Sequence, residues 1–289
     1  MGILDGRTAL VTGASQSIGL ASAKALAQDG ATVVIMGRRQ AALAEARAQM
    51  IEEVPGAQVE SFVGDAGEEA EVQQALAFAH GLRGRLDIVV PTVGGAVMQP
   101  ILMRDVESVR REMEVNYISV FLVVRHGVPL MQAGGSIVCI STVAVNQAFF
   151  GLGLYGASKA AMERLVRAAA FELGSAGIRI NAVRPGMTVP PEAVGDPSYA
   201  AMAAEIPLGR VGVPDDIAEV VRFLAGPESG WVTGQSFSVD GGQDQGKIPD
   251  TMDAMFGKEV MDRIRAGKPL LPGSEVRQVV STSLAPPRD

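Results

Sequence analysis

The chain has 289 residues, 47% of them hydrophobic, enough apolar material for one sizeable core in a single large domain. Its formal charge of −7, with no basic cluster, argues against a nucleic-acid or anionic-membrane surface. The single cysteine, Cys139, excludes disulfides within the chain and cysteine-based metal sites and fits a reducing cytoplasm; no apolar run approaches the roughly eighteen residues of a membrane span, and "MGILDGRTALVTG" lacks a charged-then-apolar leader.

In chain order, short apolar runs alternate with alanine-rich helical patterns. "TALVTG" reads as a strand, followed by a helix from about Ser17 to Gly30, the strand "ATVVIMG" and a helix near Gln40 to Glu53. The rhythm continues through "QVESFVGD", a helix from about Glu68 to Gly81, "LDIVVP", one long helix near Val106 to Met131, "GSIVCIS" and the helix at Tyr155. "IRINAVRPG", an irregular proline-rich piece, the helix "PDDIAEVVRFLA" and a last strand, "GQSFSVDGG", close the series. Strands apolar on both faces and separated by helices imply a parallel sheet covered on both sides, a doubly wound α/β fold. The pattern places one domain over residues 1–242 and leaves 243–289 as a C-terminal extension. His80 and His126 stand isolated in sequence and read as helix-surface residues, so no histidine nucleophile or metal site is expected.

Two junctions carry chemistry. In "VTGASQSIGLASAKALAQDGA" a strand turns into a helix through small residues, where bare backbone N–H groups and the positive helix N-terminus suit a pyrophosphate. Gly13, Ser15, Ser17, Ile18 and Gly19 are the candidates, against the alternative of an ordinary glycine-rich turn. In "GLYGASKAAMERL" Tyr155 and Lys159 are four apart on one helical face, which brings the ammonium near the phenol. A cation within about 4–6 Å favours phenolate and lowers a pKa of ~10, so the pair could exchange protons near neutrality. The competing reading is a surface tyrosine beside a solvated lysine.

These segments, with others, resemble the short-chain dehydrogenase/reductase family: "TGASQSIG", "EVNYISVF", "GSIVCIST", "YGASK", "INAVRPG" and "TGQSFSVDGG" occur in order over about residues 4–242. The resemblance implies a Rossmann-type sheet, a nicotinamide cofactor and hydride transfer at a carbinol carbon. It makes Tyr155 the general acid/base at a carbonyl oxygen, with Lys159 lowering its pKa and bonding the nicotinamide ribose. Asn116, in "EVNY", resembles the residue that kinks the long helix and holds a water in a relay to Lys159; the alternative is a buried helix asparagine. The family's substrate-orienting serine, thirteen residues before the tyrosine, falls by that count on Thr142, which the resemblance prefers to the adjacent Ser141; only one of two neighbouring strand residues is expected to face the site. Asp65, with Ala66 beside it, resembles the aspartate that accepts from the adenine amino group, with a helix N-cap as its rival. Gly94, Pro185, Gly186 and Thr188 complete the implied cofactor-binding set.

Besides Thr142, the chain departs from the family in three loops around the implied cofactor site. Ser17 stands for the middle glycine of TGxxxGxG, as a serine does in the family's enoyl reductases. "PTVG", Pro91 to Gly94, replaces Asn-Asn-Ala-Gly and removes two amides that pin the central strands. Pro190 replaces a threonine after Pro-Gly. At the end of the second strand Gly37 occupies the usual acidic position and Arg38 follows, so a guanidinium can meet the 2′-phosphate of NADP; Gln16 stands where many NADP-preferring relatives carry a basic residue, and Arg39 reads as solvated. NADP is therefore expected in preference to NAD. Val97, Val143, Phe149, Phe150, Leu152, Met187 and Met202, at the strand ends, favour a hydrophobic substrate.

The expected function is NADP(H)-dependent oxidoreduction of a ketone or secondary alcohol of 3-oxoacyl or alicyclic type, with no metal. Reduction of an enoyl thioester is the alternative among enzymes, and a nucleotide-binding sensor or scaffold without turnover the alternative outside them. In the extension, "MDAMFGKEVMDRI" sets Met252, Met255, Phe256, Val260 and Ile264 at helical spacing. That predicts a helix over 250–268 lying on a neighbouring subunit of a homotetramer or over the substrate cleft, while the last ten or so residues permit disorder.

Overall fold

The structure, a computed structural model, describes residues 2–247 and 252–269. The chain divides after Gln245 into two compact units. In the first, strands β1 (Thr8–Thr12), β2 (Thr32–Gly37), β3 (Gln58–Val63), β4 (Leu86–Pro91), β5 (Met131–Ile140), β6 (Arg179–Pro185) and β7 (Ser236–Val239) form one parallel sheet in the order β3-β2-β1-β4-β5-β6-β7.

Alternation along each strand divides the apolar residues between two faces. Val11, Val33, Ile35, Ile88 and Val138 pack beneath α1 (Ser17–Gln28), α2 (Gln40–Glu53) and α8 (Pro214–Ala225), the last preceded in the chain by the short α7 (Ala200–Glu205). Leu10, Val34, Val89, Ile137 and Ile180 pack on the other face with residues of α3 (Glu69–Arg83), α5 (Ser119–Gly127) and α6 (Gly153–Leu173). The doubly wound architecture follows. Strand order reverses between β1 and β4, which opens a crevice at the carboxyl ends of those strands. None of the described helices is long and apolar enough to cross a membrane.

The single helix expected over Val106–Met131 is interrupted. Helix α4 (Val106–Met113) gives way to a π turn over Glu114–Ile118, then to α5 and a 3₁₀ turn at Val128–Leu130, and Met131 opens β5. The Ser119 N–H reaches back five residues to the Glu114 carbonyl, and its hydroxyl donates to the Val115 carbonyl at 2.6 Å. The wide turn carries Asn116, whose amide engages the loop after β4. The strand-pinning amides that "PTVG" lacks are replaced in part by Thr92, whose hydroxyl donates to the Thr12 carbonyl and ties β4 to β1.

The second unit also differs from expectation. Instead of one helix over 250–268 there are two, α9 (Met252–Phe256) and α10 (Lys258–Arg265), separated by Gly257 at φ 85°, a backbone state costly for any residue with a Cβ. Asp253 and Arg265 pair across the break at 2.7 Å. The break re-phases the apolar stripe: Met261 is buried and Ile264 exposed, while Met252, Phe256 and Val260 are half-buried. Residues 250–251 and 270–289, with the side chain of Met255, lie outside the described residues.

Candidate active site

The turn from β1 into α1 is built on close backbone contact. Gly13 has φ +66°, and a Cβ there would stand 2.8 Å from Thr92 Oγ1; one on Gly19 would stand 2.5 Å from the Gly13 carbonyl oxygen. Ser17 adopts φ 52°, alone among the described non-glycine residues in having positive φ. It keeps the glycine conformation of the motif at a cost of about 1–2 kcal/mol. No side chain caps α1 and its first turn holds no acidic residue, so its leading N–H groups face the crevice free of competing anions. The turn fits the diphosphate of a dinucleotide.

A cleft of about 1030 Å³ runs from this turn across the tips of β2, β4, β5 and β6. All the cofactor-binding candidates line it: Gly13, Ser15, Ser17, Ile18 and Gly19, then Arg38, Asp65, Ala66 and Gly94, then Pro185, Gly186 and Thr188. Thr142, Tyr155 and Lys159 line it as well. Asn116 does not; it is buried behind the loop, gripping Gly95 through its N–H at 3.0 Å and its carbonyl at 2.9 Å. Of the apolar candidates only Met187 reaches the cleft wall, whereas Val143 belongs to the core and Val97, Phe150 and Met202 are exposed outside it.

Tyr155 and Lys159 lie on one face of α6, as their spacing requires, but the electrostatics differ from expectation. Lys159 is 2% exposed and its ammonium donates to the Ile140 carbonyl at 2.7 Å. Burial pushes its pKa down to about 8. Burial likewise pushes the Tyr155 hydroxyl up from its ordinary value; a hydrogen bond with the Thr142 side chain opposes that rise, and the Glu112 charge adds to it. Both charged forms are penalised by the same low-dielectric wall, so Tyr155 is held protonated, not pre-ionised by its neighbour.

Alternation at the end of β5 separates the two hydroxyl candidates. Ser141 donates inward to Glu163 Oε1 at 2.6 Å, and Glu163 is gripped bidentately by Arg184 at 2.7 and 2.5 Å. Thr142 turns toward Tyr155 and accepts from the Ala144 N–H at 3.2 Å. Glu163 and Arg184 lie inside the quoted segments "GLYGASKAAMERL" and "INAVRPG", but nothing in the sequence pairs them; the nearest signal is a carboxylate one turn past Lys159.

The Lys159 burial penalty is measurable. Its pKa of about 8 against 10.5 corresponds to about 3 kcal/mol, present in full below pH 8 and relieved as pH rises toward 10.5. Lys159→Met removes that penalty and forfeits one hydrogen bond worth about 1 kcal/mol, so we expect it to stabilise the fold by about 2 kcal/mol at pH 7. Urea unfolding at pH 7 and pH 10 checks this, the gain shrinking at the higher pH.

At the far end of the cleft, Arg38 approaches Asp65 at 3.6 Å with both side chains well exposed. Asp65 is not a helix N-cap: it accepts from the Gly67 N–H at 2.9 Å, and Glu68 precedes α3 without a side-chain cap. Arg39, read as solvated, is exposed yet lines the same wall, donating to Gln16 Oε1 at 3.2 Å. A Cβ on Gly37 would meet only Leu43 at 3.5 Å, an ordinary contact, so the missing acidic side chain reflects no lack of space.

A family model described as enoyl-(acyl carrier protein) reductase matches residues 13–244. The cis-4-hydroxycyclohexanecarboxylate dehydrogenase of Sinomonas cyclohexanicum is 37% identical over 243 residues, covering 82% of this chain and 96% of the relative. The 7alpha-hydroxysteroid dehydrogenase of Escherichia coli K12 is 34% identical, with 83% and 94% covered. A short-chain type dehydrogenase/reductase structure from Mycobacterium ulcerans superposes with a TM-score of 0.78 at 32% identity, covering 91% of this chain and 99% of the other. With its doubly wound sheet, its dinucleotide cleft and these relatives, the chain belongs to the short-chain dehydrogenase/reductase family of nicotinamide-dependent oxidoreductases.

Proposed function

We propose that this oxidoreductase prefers NADP(H) and interconverts a hydrophobic ketone and its secondary alcohol, of 3-oxoacyl or alicyclic type. The observation that carries the reading is the Tyr155–Thr142 hydroxyl pair beside the buried Lys159 at the tip of β5. The α1 turn would hold the diphosphate, Arg38 and Arg39 the 2′-phosphate, and Gly94, Pro185, Gly186 and Thr188 the nicotinamide half. Bound NADPH supplies the hydride. Tyr155, kept protonated at neutral pH by burial, donates its proton to the carbonyl oxygen. Thr142 holds that oxygen through the hydroxyl it turns toward Tyr155. Lys159, cationic below about pH 8, stabilises the phenolate left behind.

Enoyl-thioester reduction is the second reading, favoured by the description of the matched family model and by the serine at position 17. The four-residue Tyr155 to Lys159 spacing, Asn116 and the relatives named for alcohol oxidation favour the carbonyl reading. Exposed Phe171 and Trp231 support assembly, which we read as a homotetramer with α9 and α10 adding a contact between copies. The free, buried thiol of Cys139 suits the cytoplasm.

Cofactor choice is tested by Arg38→Asp, which removes a cation and adds a repelling charge. The NADPH to NADH ratio of kcat/KM is expected to fall by about 10- to 100-fold, the worth of a hydrogen bond to a charged group. A ratio equal to wild type would mean that Arg38 does not touch the phosphate.

A further inference from the structure

Two buried charges beside the cleft touch none of the reacting groups, although the Glu112 charge helps to hold Tyr155 protonated. Arg104, in the loop after β4, and Glu112, in α4, bond at 2.7 Å with 5% and 6% of their side chains exposed. Glu112 takes three donors on two oxygens. Oε1 accepts from Arg104 Nη2 and, at 3.2 Å, from the Val97 N–H; Oε2 accepts from Asn116 Nδ2 at 3.1 Å. Farther along the loop, the Gln99 N–H donates to the Gly151 carbonyl at 2.9 Å.

Alternate amides of this loop, at Gly95, Val97 and Gln99, are thus each held from outside it. Two extended residues advance about 6.6 Å and four helical residues about 6 Å, so acceptors at 112 and 116 match donors at 97 and 95. Only a carboxylate satisfies position 112, because a glutamine would turn its own N–H toward one of three donors. Stability is a poor explanation for the pair. Buried ion pairs gain little over apolar side chains of similar volume, and Arg104 Nε meets no acceptor among the described residues.

The clamp bears on the site through Gly94. A Cβ there would stand 3.0 Å from Lys159 Nζ and 3.1 Å from Asn116 Oδ1. Reversing the Asn116 amide would set an N–H against the Gly95 N–H and an oxygen against the Glu112 carboxylate. The loop also carries Met98, Ile101, Leu102 and Met103 exposed to solvent, so little apolar burial holds it in place.

We propose that Arg104 and Glu112 are positioning residues, which fix the orientation of the Asn116 amide and the register of loop 94–99 against Lys159. The proposal rests on the reading of Tyr155, Lys159 and Asn116 as the working set. Its test compares wild type with Arg104→Met/Glu112→Leu, which exchanges the pair for apolar side chains, and with Arg104→Lys, which keeps the charge. Amide hydrogen exchange, melting temperature and ketone reduction are measured on each. In the double variant we expect the melting temperature to stay within about 3 °C, exchange over 94–99 to rise about tenfold and kcat to fall about tenfold or more, with KM for NADPH changed less than about threefold. Arg104→Lys should recover most of both losses.

A folded double variant with wild-type exchange and kcat overturns the proposal. If the double variant unfolds, Glu112→Gln carries the same comparison, and unchanged exchange over 94–99 in it overturns the proposal equally. Raised exchange in the variants, in a wild-type protein that reduces no ketone, would support the clamp while removing the ketone reading.

Discussion

Replacing Tyr155 by phenylalanine is expected to lower kcat for ketone reduction by about 10²- to 10⁴-fold, the usual contribution of a positioned proton donor. NADPH affinity should stay near wild type, because the ring still fills its place in the cleft wall and only one hydroxyl is removed. Thr142 would lose its hydrogen-bond partner but keep its bond to the Ala144 N–H, so the turn after β5 should hold. Steady-state kinetics with titration of NADPH fluorescence separate the two effects. Activity within about threefold of wild type would remove Tyr155 from the chemistry.

The largest loss of stability is expected from Glu163→Leu. Burial alone would raise the Glu163 carboxyl, but hydrogen bonds from Arg184 and Ser141 hold it below its usual value. The variant leaves the Arg184 guanidinium, 12% exposed, without its anion, and removing one partner of a buried pair costs about 3–5 kcal/mol. The wild-type advantage is complete above pH 4.5, the ordinary carboxylate value, and fades as pH falls through the lower folded value. Urea midpoints at pH 7 measure the loss. Adding Arg184→Met should return most of it, since the double variant strands no charge. A single variant as stable as wild type would show that the pair does not hold β5, α6 and β6 together.

The fold was legible because its signals are local and repeated: each β-α unit writes its own apolar period, and parallel strands buried on both faces read as continuous apolar runs. The choice of Thr142 over Ser141 comes from the family resemblance, since alternation says only that one of the two faces the site; the structure turns Ser141 toward Glu163. The apolar period runs unbroken from Val106 to Met131 across the π turn at Glu114–Ile118, so only the resemblance of Asn116 to a helix-kinking residue points to the distortion there. The apolar spacing carries a helix straight through Gly257, although its positive φ ends α9 and re-phases the stripe. Arg104 and Glu112 look like solvated charges in sequence; only their burial against each other makes them a pair. Proximity alone makes Lys159 lower the tyrosine pKa; the desolvation that both groups undergo on burial is invisible in the sequence and outweighs it.

Deuteride transfer tests the central claim most directly. The chain is incubated with NADPH deuterated at the transferable C4 position and a panel of hydrophobic ketones and enoyl thioesters, and the products are read by mass spectrometry. The account predicts alcohols carrying one deuterium on the carbinol carbon, formed by wild type and not by Tyr155→Phe. Deuterium on the β-carbon of a saturated thioester, or tight NADPH binding with no panel member reduced, would contradict it.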